Sequence, residues 1–177
     1  VRESSSEKVK FTDMCPECGT PLVKNEGEAN HFCPNYLHCP PQIKGRIEHY
    51  IGRKAMDIEG LGEETVDLLY NKGLVRNIAD LYDLKQEHLV PLERMGEKSA
   101  GNIIKSIHES RNVPYHRVLF ALGIRHVGET VARTLASRFS SLDELIEADE
   151  LTLTGVREIG PRIATSIRAY FSDPENM

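Results

Sequence analysis

Two sets of residues in this chain have the type and spacing to do chemistry. The first is a group of cysteines, Cys15-x2-Cys18 and, after fourteen residues, Cys33-x5-Cys39. Cys-x2-Cys flanked by Pro16 and Gly19 makes a tight corner whose amides hydrogen-bond thiolates, and two such corners supply four sulfurs for a tetrahedral Zn2+. Disulfides are the competing use, but the four cysteines form one cluster with none outside it, and no secretory leader is visible, so a metal is expected. A rubredoxin-like iron site is the lesser alternative, since no redox-partner motif accompanies it. His31 and His38 lie close enough to compete as ligands, but a complete thiolate set leaves no vacancy, so both are expected at the surface. Four protein ligands and no open position make the metal structural, a substitute for the core that a segment of about 27 residues cannot build.

The second set is a repeat. An apolar residue, a glycine, three variable residues and a small or apolar one recur as Leu61-Gly62 with Val66, Met95-Gly96 with Ala100, Val127-Gly128 with Ala132, and Ile159-Gly160 with Ala164. The glycines stand 34, 32 and 32 residues apart, so one supersecondary unit is used repeatedly. The helix-hairpin-helix pattern, h-x-Gly-h-Gly-x3-Ala, explains each position. Its first glycine permits positive φ, its second lets an anion approach the free amides that open a helix, and the small residue allows close helix packing. The first unit has both glycines, Gly60 and Gly62, whereas the other three carry Arg94, His126 and Glu158 in the first slot. Candidate phosphate-contacting residues are Gly60, Leu61, Gly62, Met95, Gly96, Lys98, Arg125, His126, Val127, Gly128, Ile159, Gly160 and Arg162. Glu63, Glu64, Glu97 and Glu129 follow the glycines and weaken anion attraction unless Arg94, Lys98, Arg125, Arg133, Arg157 or Arg162 outweigh them. His126 reads as a polar turn residue, since no acid or nucleophile is placed with it.

These corners need helices to hold them. From Ile43 to about Phe171 the apolar spacing is helical, as in Ile43, Ile47, Tyr50 and Ile51, or Ile163, Ala164, Ile167, Tyr170 and Phe171. Starts are marked by Ser141 with Glu144, by Pro114, and by Pro161 after a turn glycine. The fold class is therefore mainly α: residues 1–13 a polar leader, 14–42 a four-cysteine zinc finger, 43–172 an all-α domain of four tandem hairpins, and 173–177 a linker. With 40% hydrophobic residues the chain can build an ordinary packed core. No membrane or secretion signal is visible, which points to the cytoplasm. The net charge is −5, and residues 55–177 hold fourteen basic against twenty acidic side chains. Any phosphate binding must then be local, through placed amides and a few Arg and Lys, and not through a uniformly basic face. Amides read the sugar-phosphate chain and not base edges, so recognition is expected to be independent of sequence.

With the zinc cluster ahead of the repeats, the chain closely resembles the C-terminal half of bacterial NAD-dependent DNA ligases over about residues 14–172. The matching runs are Cys15-Pro16-Glu17-Cys18-Gly19, the Cys33 and Cys39-Pro40 pair, Arg53 to Gly62, Leu92 to Ala100, and Leu122 to Gly128. The resemblance implies that Cys15, Cys18, Cys33 and Cys39 hold zinc and that the hairpins grip nicked duplex DNA across the minor groove. It implies that the leader ends an oligonucleotide-binding barrel and that Asp173-Pro174 leads to a further domain. It also implies a parent enzyme that seals nicks through an adenylylated lysine, using NAD+ and Mg2+ bound elsewhere. The family's Lys-x-Asp-Gly motif does not occur in this sequence, so the region alone is expected to supply grip and orientation without ligating, with no catalytic residue of its own. The competing expectations are a helical module that docks protein partners, and the DNA-binding part of another repair enzyme such as an excision nuclease.

Overall fold

A computed structural model describes residues 12–24, 27 and 29–177; all of the polar leader except Thr12 and Asp13 lies outside them. The chain divides into two compact units, residues 1–45 and 46–177, with the division inside helix α1 (Pro40–Ile51).

The first unit has almost no regular structure among its described residues. Two isolated antiparallel bridges, Met14 with Pro21 and Val23 with Phe32, fold it back on itself, and Val23 and Phe32 exchange backbone hydrogen bonds of 2.9 Å in both directions. Its buried cluster consists of Cys15, Cys33 and Cys39, with Cys18 and Leu22 packed against them. Sulfur occupies the place where a larger domain would put leucine and phenylalanine.

The second unit is helical. After α1 come α2 (Glu63–Asn71), α3 (Gln86–Leu89), α4 (Glu97–Ser110), α5 (Tyr115–Ala121), α6 (Glu129–Arg138), α7 (Leu142–Glu147), α8 (Glu150–Thr154) and α9 (Pro161–Ser172), with 3-10 turns at Ala79–Asp83 and Pro174–Asn176. Local chemistry fixes several starts. The Ser141 hydroxyl accepts from the Glu144 N–H at 3.2 Å, as in the expected capping box, while the Glu144 carboxylate reaches past the cap to the N–H of Ser140 at 2.7 Å. Asp149 caps α8 by accepting from the Thr152 N–H at 2.7 Å, and Pro161 opens α9, where its missing N–H is not needed. The apolar stripes face inward: Leu69, Leu119, Leu135 and Ile167 are fully buried. The residues beyond α9 make local contacts. Asp173 caps the last 3-10 turn, and the Asn176 side chain donates to the Tyr170 carbonyl at 3.0 Å and accepts from Arg46 at 3.3 Å. An Asp-Pro pair stops the helix as expected, but the residues beyond it still find partners.

Helices α2, α4, α6 and α9 each begin directly after one of the repeat glycines, and the residues four positions on, Val66, Ala100, Ala132 and Ala164, are at most 1% exposed. Two residues before each glycine the backbone turns left-handed: Gly60 at φ 86°, Arg94 at 60°, His126 at 67° and Glu158 at 70°. The units that lack the first glycine therefore keep its conformation, at a cost of about 1–2 kcal/mol for an L-residue. Gly60 has a second reason to be glycine, because a Cβ there would lie 2.8 Å from Cγ1 of Ile103 on α4. Gly60→Ala should consequently lower the unfolding free energy by about 2 kcal/mol or more, strain and overpacking combined. Glu158→Gly removes the strain together with a long, exposed hydrogen bond from the Thr134 hydroxyl at 3.4 Å, offset further by about 0.5–1 kcal/mol of backbone entropy, and should leave stability nearly unchanged. Urea denaturation of the two variants against the wild type measures both changes.

Candidate metal centre and nucleic-acid interface

In the first unit the Cys15 corner is closed by two backbone hydrogen bonds, Gly19 N–H to Cys15 carbonyl at 2.9 Å and Cys15 N–H to Thr20 carbonyl at 2.8 Å. Gly19 takes φ 69°, which is why glycine follows the second cysteine. Cys33 and Cys39 flank a turn in which the Cys39 N–H donates to Asn35, and Cys39 stands immediately before α1, its carbonyl accepting from the N–H groups of Gln42 and Ile43 at 3.0 Å. The Gln42 side chain donates to the Cys33 carbonyl at 2.9 Å and so ties the two ends of that turn.

All four sulfurs lie within 4.8 Å of one another, with Cys15 and Cys39 3.9 Å apart and Cys18 and Cys33 3.5 Å apart. Sulfurs about 2.3 Å from one tetrahedral ion stand about 3.8 Å apart, so the cluster has the dimensions of a thiolate cage for zinc. No disulfide joins the cysteines, and the exposed His31 and His38 are not among the clustered ligands.

The sulfurs are unequal. The Thr20 hydroxyl, 3.2 Å from Cys18 Sγ, and then the Thr20 backbone N–H favour the thiolate and pull Cys18 down to about 6. Asn35 also donates to that hydroxyl, at 3.3 Å. Burial, and then the neighbouring sulfurs, push Cys39 up to about 12; burial also raises Cys33, against a backbone hydrogen bond from Asn35. Crowded thiolates need a cation to ionise together, and a dication meets that need.

In the second unit the repeat glycines are the N-caps of their helices, with φ from −96° to −81° and no capping side chain. Such φ values suit any residue, and a Cβ added at Gly62, Gly96, Gly128 or Gly160 would meet nothing within 4 Å. Neither backbone strain nor internal packing therefore requires glycine there. What its absent side chain leaves is open space in front of the first amides of each helix, which have no intrahelical acceptor. Leu61, Val127 and Ile159 are buried and Met95 is half-buried, so these candidates anchor the turns and offer only main chain outward. Gly62, Gly96, Gly128, Lys98, Arg125, His126 and Arg162 are exposed, and Gly160 is partly so.

The corners come in two pairs. Arg94 and Glu64 lie 4.0 Å apart, joining the first and second; at such exposure the pair contributes little energy. Arg162 Nε donates to His126 Nε2 at 3.0 Å, joining the third and fourth and placing the imidazole proton on Nδ1. The third corner is the most cationic. Glu129, the first residue of its helix, is held by Arg133 at 3.1 Å and by Lys54 at 3.3 Å, and these contacts, Arg133 foremost, keep its carboxyl below the usual range. The fourth corner presents fewer amides, because Pro161 has none and Ile163 donates to Gly160. Lys54 precedes the first hairpin yet serves the third, a contact between residues 75 positions apart in sequence that no local pattern encodes.

Three family models match the chain. Residues 14–40 match the NAD-dependent DNA ligase C4 zinc finger domain, residues 53–109 a SAM-like helix-hairpin-helix tandem, and residues 117–177 a helix-hairpin-helix motif. Curated relatives are DNA ligases of Flavobacterium psychrophilum, 56% identical over 99% of this chain, and of Phocaeicola vulgatus, 59% identical over 96%. The chain belongs to the bacterial NAD-dependent DNA ligase family. It spans 26% of the length of those relatives and corresponds to a DNA-binding region of a ligase, a zinc finger with helix-hairpin-helix segments and not the catalytic domain. The zinc-finger match sets aside the protein-docking and excision-nuclease alternatives.

Because burial makes Cys39 and Cys33 hold their protons more tightly than a free thiol and zinc is bound by thiolates, zinc uptake by this ligase region should release protons, those two among them. Isothermal titration of zinc in buffers of different ionisation enthalpy counts them. Cys39→Ser should reduce the count by about one.

Proposed function

We propose that this region grips nicked double-stranded DNA through its sugar-phosphate backbone, at the hairpin corners opened by Gly60 and Gly62, Met95 and Gly96, Arg125 to Gly128, and Ile159 and Gly160, with Lys98 and Arg162 adding charge. The observation that carries the proposal is the repeated use of glycine at helix starts where nothing inside the chain demands it. A row of uncapped helix N-termini suits a polyanion with a regular repeat, and main-chain donors read it without reading bases. The Arg125 and His126 corner, with Glu129 neutralised by Lys54 and Arg133, is the strongest contact.

The zinc-finger module at residues 14–42 is stabilised by Zn2+ on Cys15, Cys18, Cys33 and Cys39 and joins the hairpin domain at 43–172 to other domains of the same ligase polypeptide. Those domains carry out adenylylation with NAD+ and Mg2+ and seal the nick in DNA replication and repair; this region contributes affinity and orientation. Among the described residues no helix is long and apolar enough to cross a membrane, in keeping with a cytoplasmic enzyme.

A gel shift at low salt with nicked and intact duplexes of unrelated sequence tests the reading. Gly128→Val introduces a side chain into empty space without straining the fold, and should weaken binding by about tenfold or more on every sequence, with the slope of log K against log salt reduced by about 0.9 for each phosphate lost. Unchanged affinity in the folded variant would remove that corner from the interface.

A further inference from the structure

The segments that match the two helix-hairpin-helix models, residues 53–109 and 117–177, meet at Arg117. Arg117, near the start of α5, reaches back to the loop between α1 and the first hairpin. Its Nε donates to the Ala55 carbonyl at 2.7 Å, an Nη donates to the Arg53 carbonyl, and the same Nη lies 3.5 Å from the Asp57 carboxylate. The guanidinium side chain is 23% exposed, so these are partly desolvated, charge-assisted contacts and stronger than surface ion pairs. The receiving loop is itself rigid. Ala55 and Asp57 both donate to Gly52, Met56 donates to Tyr50 and Ile58 to Ile51, while Asp57 adopts φ 56°, strained for a residue other than glycine.

Around this point α1 touches both halves. The Tyr50 hydroxyl bonds that of Tyr82 at 3.0 Å, and on the other side His49 Nε2 donates to the Phe120 carbonyl at 2.8 Å. The loop that Arg117 grips also sends Lys54 to Glu129, at the third corner. A shift of that loop would carry the first hairpin away from the third and withdraw Lys54 at once.

We propose that Arg117 is a positioning residue that fixes the register between the two hairpin pairs so that both meet one duplex together. The inference rests on the DNA-binding reading above. Two weak contact sets held at a fixed spacing bind as one, each raising the effective concentration of the other, and the gain disappears when geometry forbids simultaneous engagement. Planarity and several donors suit arginine to this role, and lysine cannot satisfy two carbonyls and a carboxylate in one plane.

The test uses the zinc-loaded chain with Arg117→Met, Arg117→Lys and, as a milder change that keeps the carbonyl contacts, Asp57→Asn. Spin labels attached through unnatural amino acids at the exposed positions His108 and Ala169, one in each half, report the spacing without using the zinc cysteines. The wild type should give one narrow distance distribution. Arg117→Met should broaden it, lower duplex affinity about tenfold or more and flatten the salt slope, with helicity and zinc content retained; lysine and Asp57→Asn should fall between. A salt slope that stays constant while only thermal stability drops would mean a merely structural role and overturn the proposal, as would an unbroadened distribution in folded Arg117→Met. Failure of the wild type itself to shift any duplex would instead overturn the DNA-binding reading.

Discussion

A single backbone constraint underlies the helical unit: a residue at positive φ, followed by an apolar anchor and then an uncapped glycine. The left-handed residue reverses the chain sharply enough to bring the following helix back on the preceding one. The anchor, Leu61, Met95, Val127 or Ile159, pins the corner to the interior, and the glycine leaves the helix start bare. Strain at Arg94, His126 and Glu158 persists because the anchor beside it, half-buried at Arg94 and buried at the other two, and the fully buried alanine four residues beyond the glycine hold the turn from both sides. Stability and accessibility are thus set by neighbouring residues in one short run.

The first unit obeys a different constraint. It has too few apolar side chains for a core, and its buried cluster is made of cysteines. Backbone hydrogen bonds at Cys15, Gly19 and Cys39 set the corners, and Thr20, itself bonded by Asn35, lies beside the Cys18 sulfur. Burial resists ionisation of the sulfurs opposite. The site is therefore shaped for a cation but electrically incomplete without one, which is how metal affinity becomes folding energy.

Features encoded by short-range spacing were legible in the sequence. Cys-x2-Cys with Pro and Gly beside it, glycines every 32 to 34 residues, and Ser141 three before Glu144 each describe a local geometry that the folded chain reproduces. The left-handed residues in the three degenerate units were harder to see, because Arg, His and Glu do not advertise positive φ; only the register of the repeat places them. Asp57 has no such register to reveal it. Arg117 on the 53–57 loop and Lys54 on Glu129 were invisible for another reason: each joins residues more than sixty positions apart, and nothing in the intervening pattern requires the contact. The partners of Asn176 were hidden for the same reason, since only the folded helices bring Tyr170 and Arg46 near it.

The left-handed slot has one further property. Its side chain is exposed at Arg94, His126 and Glu158, so at these three corners the fold tolerates any occupant that accepts the conformation, whereas at the first a Cβ on Gly60 would press on Ile103. Across the four corners that occupant is absent, cationic, titratable and anionic in turn. In the last three hairpins one position thus sets local polarity independently of architecture, and a single-residue exchange there could regrade the row electrically while every helix, anchor and glycine stayed where it is.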